Sequence, residues 1–245
     1  ADPHAGVTAA VRMPVQGIDV SSHQGDIDWT AVRQAGIRFA YLKTTEGGDF
    51  ADARFLDNWH AAAAAGVRRG AYHFMYWCRR ADQQALFFMV NVPNDQDALP
   101  PVLDLEWNPD SPSCPVRLPR EKALPMIRTL LLAMEARTGK RPIIYTDANF
   151  YREILADGAL KNYQFWLRST ASPPEYLYPG QPWTFWQFTA TGRVPGIAGD
   201  VDRNAFNGTD EDWERWLVRV GAARPAVPTT VSSVGGTPPP ASRRG

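Results

Sequence analysis

The feature that most restricts the fold of this chain is a regular alternation of short apolar runs with longer stretches of helical pattern. The runs at 17–20, 39–44, 70–76, 101–106, 143–146, 165–167 and 183–188 have strand-like lengths and are bounded by turn residues. Between them, segments 29–35, 52–65, 81–90, 120–138 and 149–156 carry apolar residues at helical spacing or strong helix formers. Asp28 stands where an N-cap is wanted, and Gly66 and Gly139 fall just past two helix ends, where a left-handed cap residue is favoured. Strand and helix in alternation imply parallel strands joined by right-handed crossovers.

After Phe165 the rhythm changes. Strand-like segments near Phe165, Trp183 and Asp202 are joined by loops rich in proline and glycine, with no good helix among them. The expected α/β fold is therefore a single-domain, TIM-like but incomplete barrel of about eight strands, irregular in its last third and closed by a helix over 210–220. Its length of 245 residues suits one such domain. Residues 1–14 read as a flexible N-terminal segment, 15–221 as the barrel, and 222–245 as a disordered tail. That tail is made of Pro, Ser, Thr and Gly and has too little apolar surface to order itself.

Lysine plus arginine and aspartate plus glutamate both number 26, so no net field draws the chain to nucleic acid or to anionic lipid. With 44% hydrophobic and 21% charged residues the composition is that of a globular protein. No run approaches the roughly 20 apolar residues of a membrane helix, and no charged-then-apolar leader opens the chain. The two cysteines, Cys78 and Cys114, form no CxxC pair and have no histidine beside them, which makes a zinc site a poor reading. Two separate buried thiols and one disulfide remain equally open from the residues alone.

The sharpest chemical signal is Leu103-Asp104-Leu105-Glu106-Trp107. Side chains two apart on a strand share a face, with Cα atoms roughly 6.5 to 7 Å apart, so both carboxylates point the same way. Glycosidic cleavage needs one carboxylic acid to protonate the leaving oxygen and a second group to stabilise or attack the cationic sugar centre. Adjacent carboxylates also raise one another's pKa, which keeps one of them protonated near neutral pH. The plainer reading of an isolated Asp-x-Glu is a solvated acidic strand end.

Asp19 and Asp202 also sit where strands should end, on the face of a parallel barrel where active sites gather. Asp200, beside a glycine, reads as a turn acid. His23 and His73 could join the acids around a divalent metal, making a metal-dependent hydrolase the chemical rival, but there is no HxH or HExxH pattern. Ser21 and Ser22 beside His23 form no nucleophile elbow, and Gly47-Gly48 matches no phosphate-binding loop. Of nine tryptophans, Trp77, Trp107, Trp166 and Trp186 lie at or near strand ends, where they serve either the core or a sugar face.

Taken together, Gly17-Ile18-Asp19-Val20-Ser21-Ser22-His23-Gln24-Gly25, Tyr41-Leu42-Lys43-Thr44-Thr45-Glu46-Gly47, Gly70-Ala71-Tyr72-His73-Phe74 and Leu103-Asp104-Leu105-Glu106 resemble the glycoside hydrolases of family 25. The later segments Ile144-Tyr145-Thr146, Trp183-Thr184-Phe185-Trp186-Gln187-Phe188 and Gly199-Asp200-Val201-Asp202-Arg203-Asn204 resemble them too, in the same order and spacing. The resemblance spans about 17–220 and implies a (β/α)5(β)3 barrel with lysozyme-type N-acetylmuramidase activity on peptidoglycan glycan strands.

By motif position it implies Glu106 as proton donor, Asp104 as its partner, and Asp19 and Asp202 as the other two acids. Tyr72, Tyr145, Trp186 and Gln187 would line sugar subsites, with Lys43 and Glu46 at the pocket edge. Neither a metal nor a cofactor is expected, and the protein is expected to be an extracytoplasmic (secreted or periplasmic) monomer. In that setting a Cys78–Cys114 disulfide between the loops after the third and fourth strands is expected, since those loops are neighbours if the strands are. The alternative to an enzyme is a non-catalytic peptidoglycan-binding module on the same scaffold.

Overall fold

The computed structural model describes residues 2–225. Its strands are β1 (Gln16–Val20), β2 (Ile37–Glu46), β3 (Phe50–Ala51), β4 (Arg68–Phe74), β5 (Val102–Leu105), β6 (Ile143–Thr146), β7 (Gln164–Arg168), β8 (Phe185–Gly192) and β9 (Val201–Phe206). The helices are α1 (Trp29–Gln34), α2 (Phe55–Ala64), α3 (Ala81–Asn91), α4 (Arg120–Thr138), α5 (Ala148–Phe150), α6 (Pro174–Leu177) and α7 (Asp210–Arg219). All strands but β3 form a ring in the order β1-β2-β4-β5-β6-β7-β8-β9, closed by pairing of β9 with β1. The two-residue β3 is an appendage on the end of β2.

Local signals act as expected at several ends. Asp28 accepts from the Ala31 backbone N–H at 3.0 Å, and Gly66 and Gly139 take left-handed φ values of 81° and 67°. The segment expected as a helix over 149–156 is α5 continued by a π turn, Tyr151–Leu155.

Strand direction differs from a wholly parallel ring in one place. The other seven ring strands pair in parallel, but β9 runs antiparallel to both β8 and β1. A parallel return needs a crossover of a dozen or more residues, and the link 193–200 is too short to supply one. The chain simply turns back.

Alternation along each strand separates two cores. Ile18, Val20, Leu42, Ala71, Leu103, Leu105, Ile144 and Leu167 face outward and pack under the helices. Phe39, Tyr41, Val102, Ile143, Trp166, Phe185 and Phe206 face inward and fill the barrel. The inner core is plugged by α7, whose Trp213 and Trp216 stack 5.2 Å apart beneath Phe39, Phe185 and Phe206. The plug closes the end opposite the C-terminal ends of β1 to β8, and the other end stays open.

The N-terminal segment, read as flexible, packs as an arm. Ala10 is buried beside Trp186, Phe188 and Ala205, and the Gln16 amide donates to the carbonyls of Ala10 and Met13. At the other end the folded part extends past 221: Ala222 is buried, and its N–H donates to Leu217 O at 2.8 Å. Residues 226–245 of the expected tail lie outside the described residues.

Cys78 and Cys114 form a disulfide with Cα atoms 5.7 Å apart, tying the loops after β4 and β5. The bridge spans a sequence separation of 36, and on chain-entropy reasoning such a loop contributes about 4 kcal/mol. Reduction under otherwise native conditions is therefore expected to lower the urea midpoint and to steepen the slope, because the unbridged unfolded chain is less compact, measured by fluorescence against the oxidised protein.

Candidate active site

The inward positions at the open end carry the acids. Asp19 on β1, Asp104 on β5, Glu106 just past it and Asp202 on β9 line one cleft of about 340 Å³. Because β9 is antiparallel, Asp202 reaches this rim from the start of its strand and lies opposite Asp19 in the register. Tyr72, Tyr145, Trp166 and Gln187 form the walls, with Lys43, Phe74 and Arg168 among the other lining residues.

Like charges directly opposite on neighbouring strands repel, so Asp19 and Asp202 favour sharing a proton. Burial pushes both carboxyls up, Asp202 to about 9, and the charge of Asp19 adds to the burial effect at Asp202. Two donors decide which one stays ionised. Gln187 Nε2 and Asn204 Nδ2 donate to the same oxygen of Asp19, at 3.0 and 2.8 Å. Tyr145 in turn donates to Gln187 Oε1 at 2.7 Å, and Trp166 to Asn204 Oδ1 at 2.7 Å. These donors favour the ionised form of Asp19 over that of Asp202, which is the more readily protonated of the two.

The second pair is Asp104 and Glu106. Burial raises both, Asp104 further because the Glu106 charge lies beside it, and Glu106 to about 7, with Asp147 the next cause after burial. Asp104 Oδ1 is buried without a hydrogen-bond partner, and a proton shared with Glu106 would satisfy it. The pair titrates as a unit. At neutral pH it retains a transferable proton at the cleft surface, above an anionic aspartate: one acid and one negative stabiliser.

Several expected residues lie elsewhere. Trp186, expected against a sugar, is on the outer face of β8, where its indole donates to Ser169 O at 2.8 Å and packs against Ala10 and Phe188. Phe185 and Gln187 face inward, so the residue between them cannot. Glu46 is not on the cleft wall. It pairs with Lys43 and accepts from the Tyr76 hydroxyl, behind an irregularity in β2 between Lys43 and Thr45 that breaks the two-residue phase. Lys43 itself lines the cleft, near the rings of Phe50 and Phe74. Trp77 and Trp107 pack with Phe150 outside the barrel.

The histidines considered as metal ligands are not gathered at the acids. His73 faces outward, with both ring nitrogens engaged by Thr45 and Gln84, and burial lowers its pKa to about 4. His23 lies in a short 3-10 turn over Ser22–Gln24. Among the described residues no group of three or more His, Cys, Asp and Glu is arranged to hold a metal ion, and no helix is long and apolar enough to cross a membrane.

Arg168 and Asn204 were not singled out as site residues by sequence, although both had a signal. Asn204 lies two past Asp202 on one strand face, and Arg168 two past Trp166 at the end of β7.

The family model for glycosyl hydrolases family 25 matches residues 18–197. Lysozyme M1 of Streptomyces globisporus is 41% identical over 202 residues, covering 80% of this chain and 68% of that protein. An N,O-diacetylmuramidase of Arthroderma benhamiae is 30% identical over 214 residues, covering 82% of this chain and 86% of its own length. The solved structure of a bacterial lysozyme from Streptomyces coelicolor superposes with a TM-score of 0.77 at 38% identity, covering 86% of this chain and 100% of that one. The inward acids, the closed ring of strands with one antiparallel member and these matches lead to one assignment: the chain belongs to glycosyl hydrolases family 25.

Proposed function

We infer that the protein is an N-acetylmuramidase that hydrolyses the β-1,4 bond between N-acetylmuramic acid and N-acetylglucosamine in peptidoglycan. The observation that carries this reading is the gathering in one cleft of Glu106, whose carboxyl burial pushes up, and Asp19, one oxygen of which accepts from two side-chain amides. The names of the lysozyme and diacetylmuramidase relatives support the substrate class.

Glu106 gives its proton to the glycosidic oxygen as the bond to the anomeric carbon breaks. Asp19, with Asp202 hydrogen-bonded to it, orients the 2-acetamido N–H of the muramic residue, whose carbonyl oxygen closes on the anomeric carbon. Glu106, now ionised, takes a proton from water as that water opens the cyclic intermediate, which gives net retention. Asp104 shares a proton with Glu106 in the resting site and stays hydrogen-bonded to it while Glu106 gives up and regains its own. The Cys78–Cys114 bridge suits work in an oxidising, extracytoplasmic compartment.

Mass spectrometry of digested peptidoglycan is expected to show reducing-end N-acetylmuramic acid, with turnover unchanged by EDTA. Reducing-end N-acetylglucosamine would reassign the bond. Loss of activity in EDTA with recovery on adding a divalent ion would favour metal-assisted hydrolysis, and binding without turnover would leave a recognition module.

A further inference from the structure

The N-terminal arm does more than cover an edge. It crosses β8 so closely that a Cβ on Gly6 would lie 2.6 Å from Phe188 O. Thr189 Oγ1 and Thr170 Oγ1 donate to the carbonyls of His4 and Pro3 at 2.7 and 3.1 Å, and Thr191 Oγ1 donates to Asp2 at 2.9 Å. So anchored, the arm presents His4 Nδ1 to the guanidinium of Arg168, which donates to it at 2.8 Å. Arginine can only donate, so this ring nitrogen carries no proton and the imidazole is neutral.

That choice of partner matters for charge. Arg168 lines the cleft, and among the described residues its guanidinium enters no ion pair. A carboxylate in the place of His4 would cancel the positive charge, whereas a neutral imidazole orients the guanidinium and leaves its field intact. That field acts on Asp19 of β1, Glu106 after β5 and Asp202 of β9, and on Tyr145 of β6 and Tyr178 beyond β7. The other cation on the wall, Lys43 of β2, is already paired with Glu46, and Asp147 adds negative charge beside Glu106.

We propose that the N-terminal arm belongs to the working site, with His4 a positioning residue that holds Arg168 as the counter-cation of the carboxylate cluster. The pH dependence of turnover rests on the functional reading above, but the titration of the acids does not. Removing a cation raises the pKa of nearby carboxyls, so both limbs of the kcat/KM profile should move to higher pH. The shift is expected to be about one unit for Arg168→Met and smaller for His4→Ala.

The double variant should match Arg168→Met alone, and His4→Gln, whose amide oxygen can accept the same bond, should restore the parent profile. Carbon-13 NMR titration of the Glu106 and Asp202 carboxyls in the same proteins should show the same order of shifts. Arg168→Lys, a milder change, keeps the charge and should leave the carboxyl titrations near those of the parent. If the parent does not cut peptidoglycan, the functional reading fails while the carboxyl titrations still decide the role of the arm. Unchanged carboxyl titrations in His4→Ala and Arg168→Met, or shifts that simply add in the double variant, would overturn the proposal.

Discussion

Glu106→Gln is expected to lower kcat on peptidoglycan by about a thousandfold or more while leaving glycan affinity within a few-fold of the parent. The amide keeps the shape of the side chain but has no acidic proton to deliver, and general acid catalysis alone contributes typically 10²–10⁴-fold. Glu106 also acts twice in the inferred mechanism, as acid and then as base, so both steps suffer. A fall in kcat without a matching rise in KM marks an interaction made in the transition state. Single-turnover assays with a defined glycan, beside equilibrium binding of the same glycan, measure the two effects separately. Retained turnover in the variant would remove Glu106 from the chemistry.

The same substitution should not destabilise the fold, and at alkaline pH it should stabilise it. In the unfolded chain the carboxyl ionises near its ordinary value, whereas in the cleft it ionises at about 7, with burial the main cause. Between those two values the folded state binds more protons than the unfolded one, so stability falls as pH rises. Above about 7 that cost is fully developed, and the glutamine does not incur it. A melting temperature at pH 8 equal to or above that of the parent, together with lost turnover, is the signature of a residue kept for function at the expense of stability.

How far the sequence disclosed this arrangement can be followed residue by residue. The period-two rule applied to Asp104 and Glu106 placed both on one face, and the structure has them lining one cleft. The rule also needs a known phase. The resemblance puts Trp186 on the sugar side, although the inward placement of Gln187 requires it to face out. Strand direction was less legible, because a run such as 201–206 reads the same in either sense; only the short link before it forbids a parallel return. The arm was missed for a different reason. Its order comes from threonine hydroxyls of β8 and from Thr170, some 170 residues away in sequence, and composition carries no trace of such partners. Arg168 was hidden with it, since the residue that orients it is His4.

Gly17→Val is expected to cost about 3 kcal/mol or more and to yield little folded protein. Gly17 faces inward, two residues before Asp19 and beneath it. A Cβ there would lie 2.3 Å from two carbons of the Phe39 ring, where contact normally begins near 3.5 Å. The ring cannot retreat, because Phe39 is fully buried with Phe185 at 4.8 Å and Trp213 at 5.3 Å, and those rings belong to the plug that α7 drives into the barrel. Inserting methylenes into a packed core typically costs about 1–3 kcal/mol. Here three carbons enter where there is room for none, so β1 must shift or the plug must loosen. Either movement displaces Asp19 from Gln187 and Asn204, so any folded fraction should also lose turnover. Urea melts of Gly17→Ala and Gly17→Val, with activity measured on the soluble fraction, test the coupling. A folded Gly17→Val protein with a midpoint and activity close to those of the parent would show that the inner core yields, and that the position of Asp19 does not depend on it.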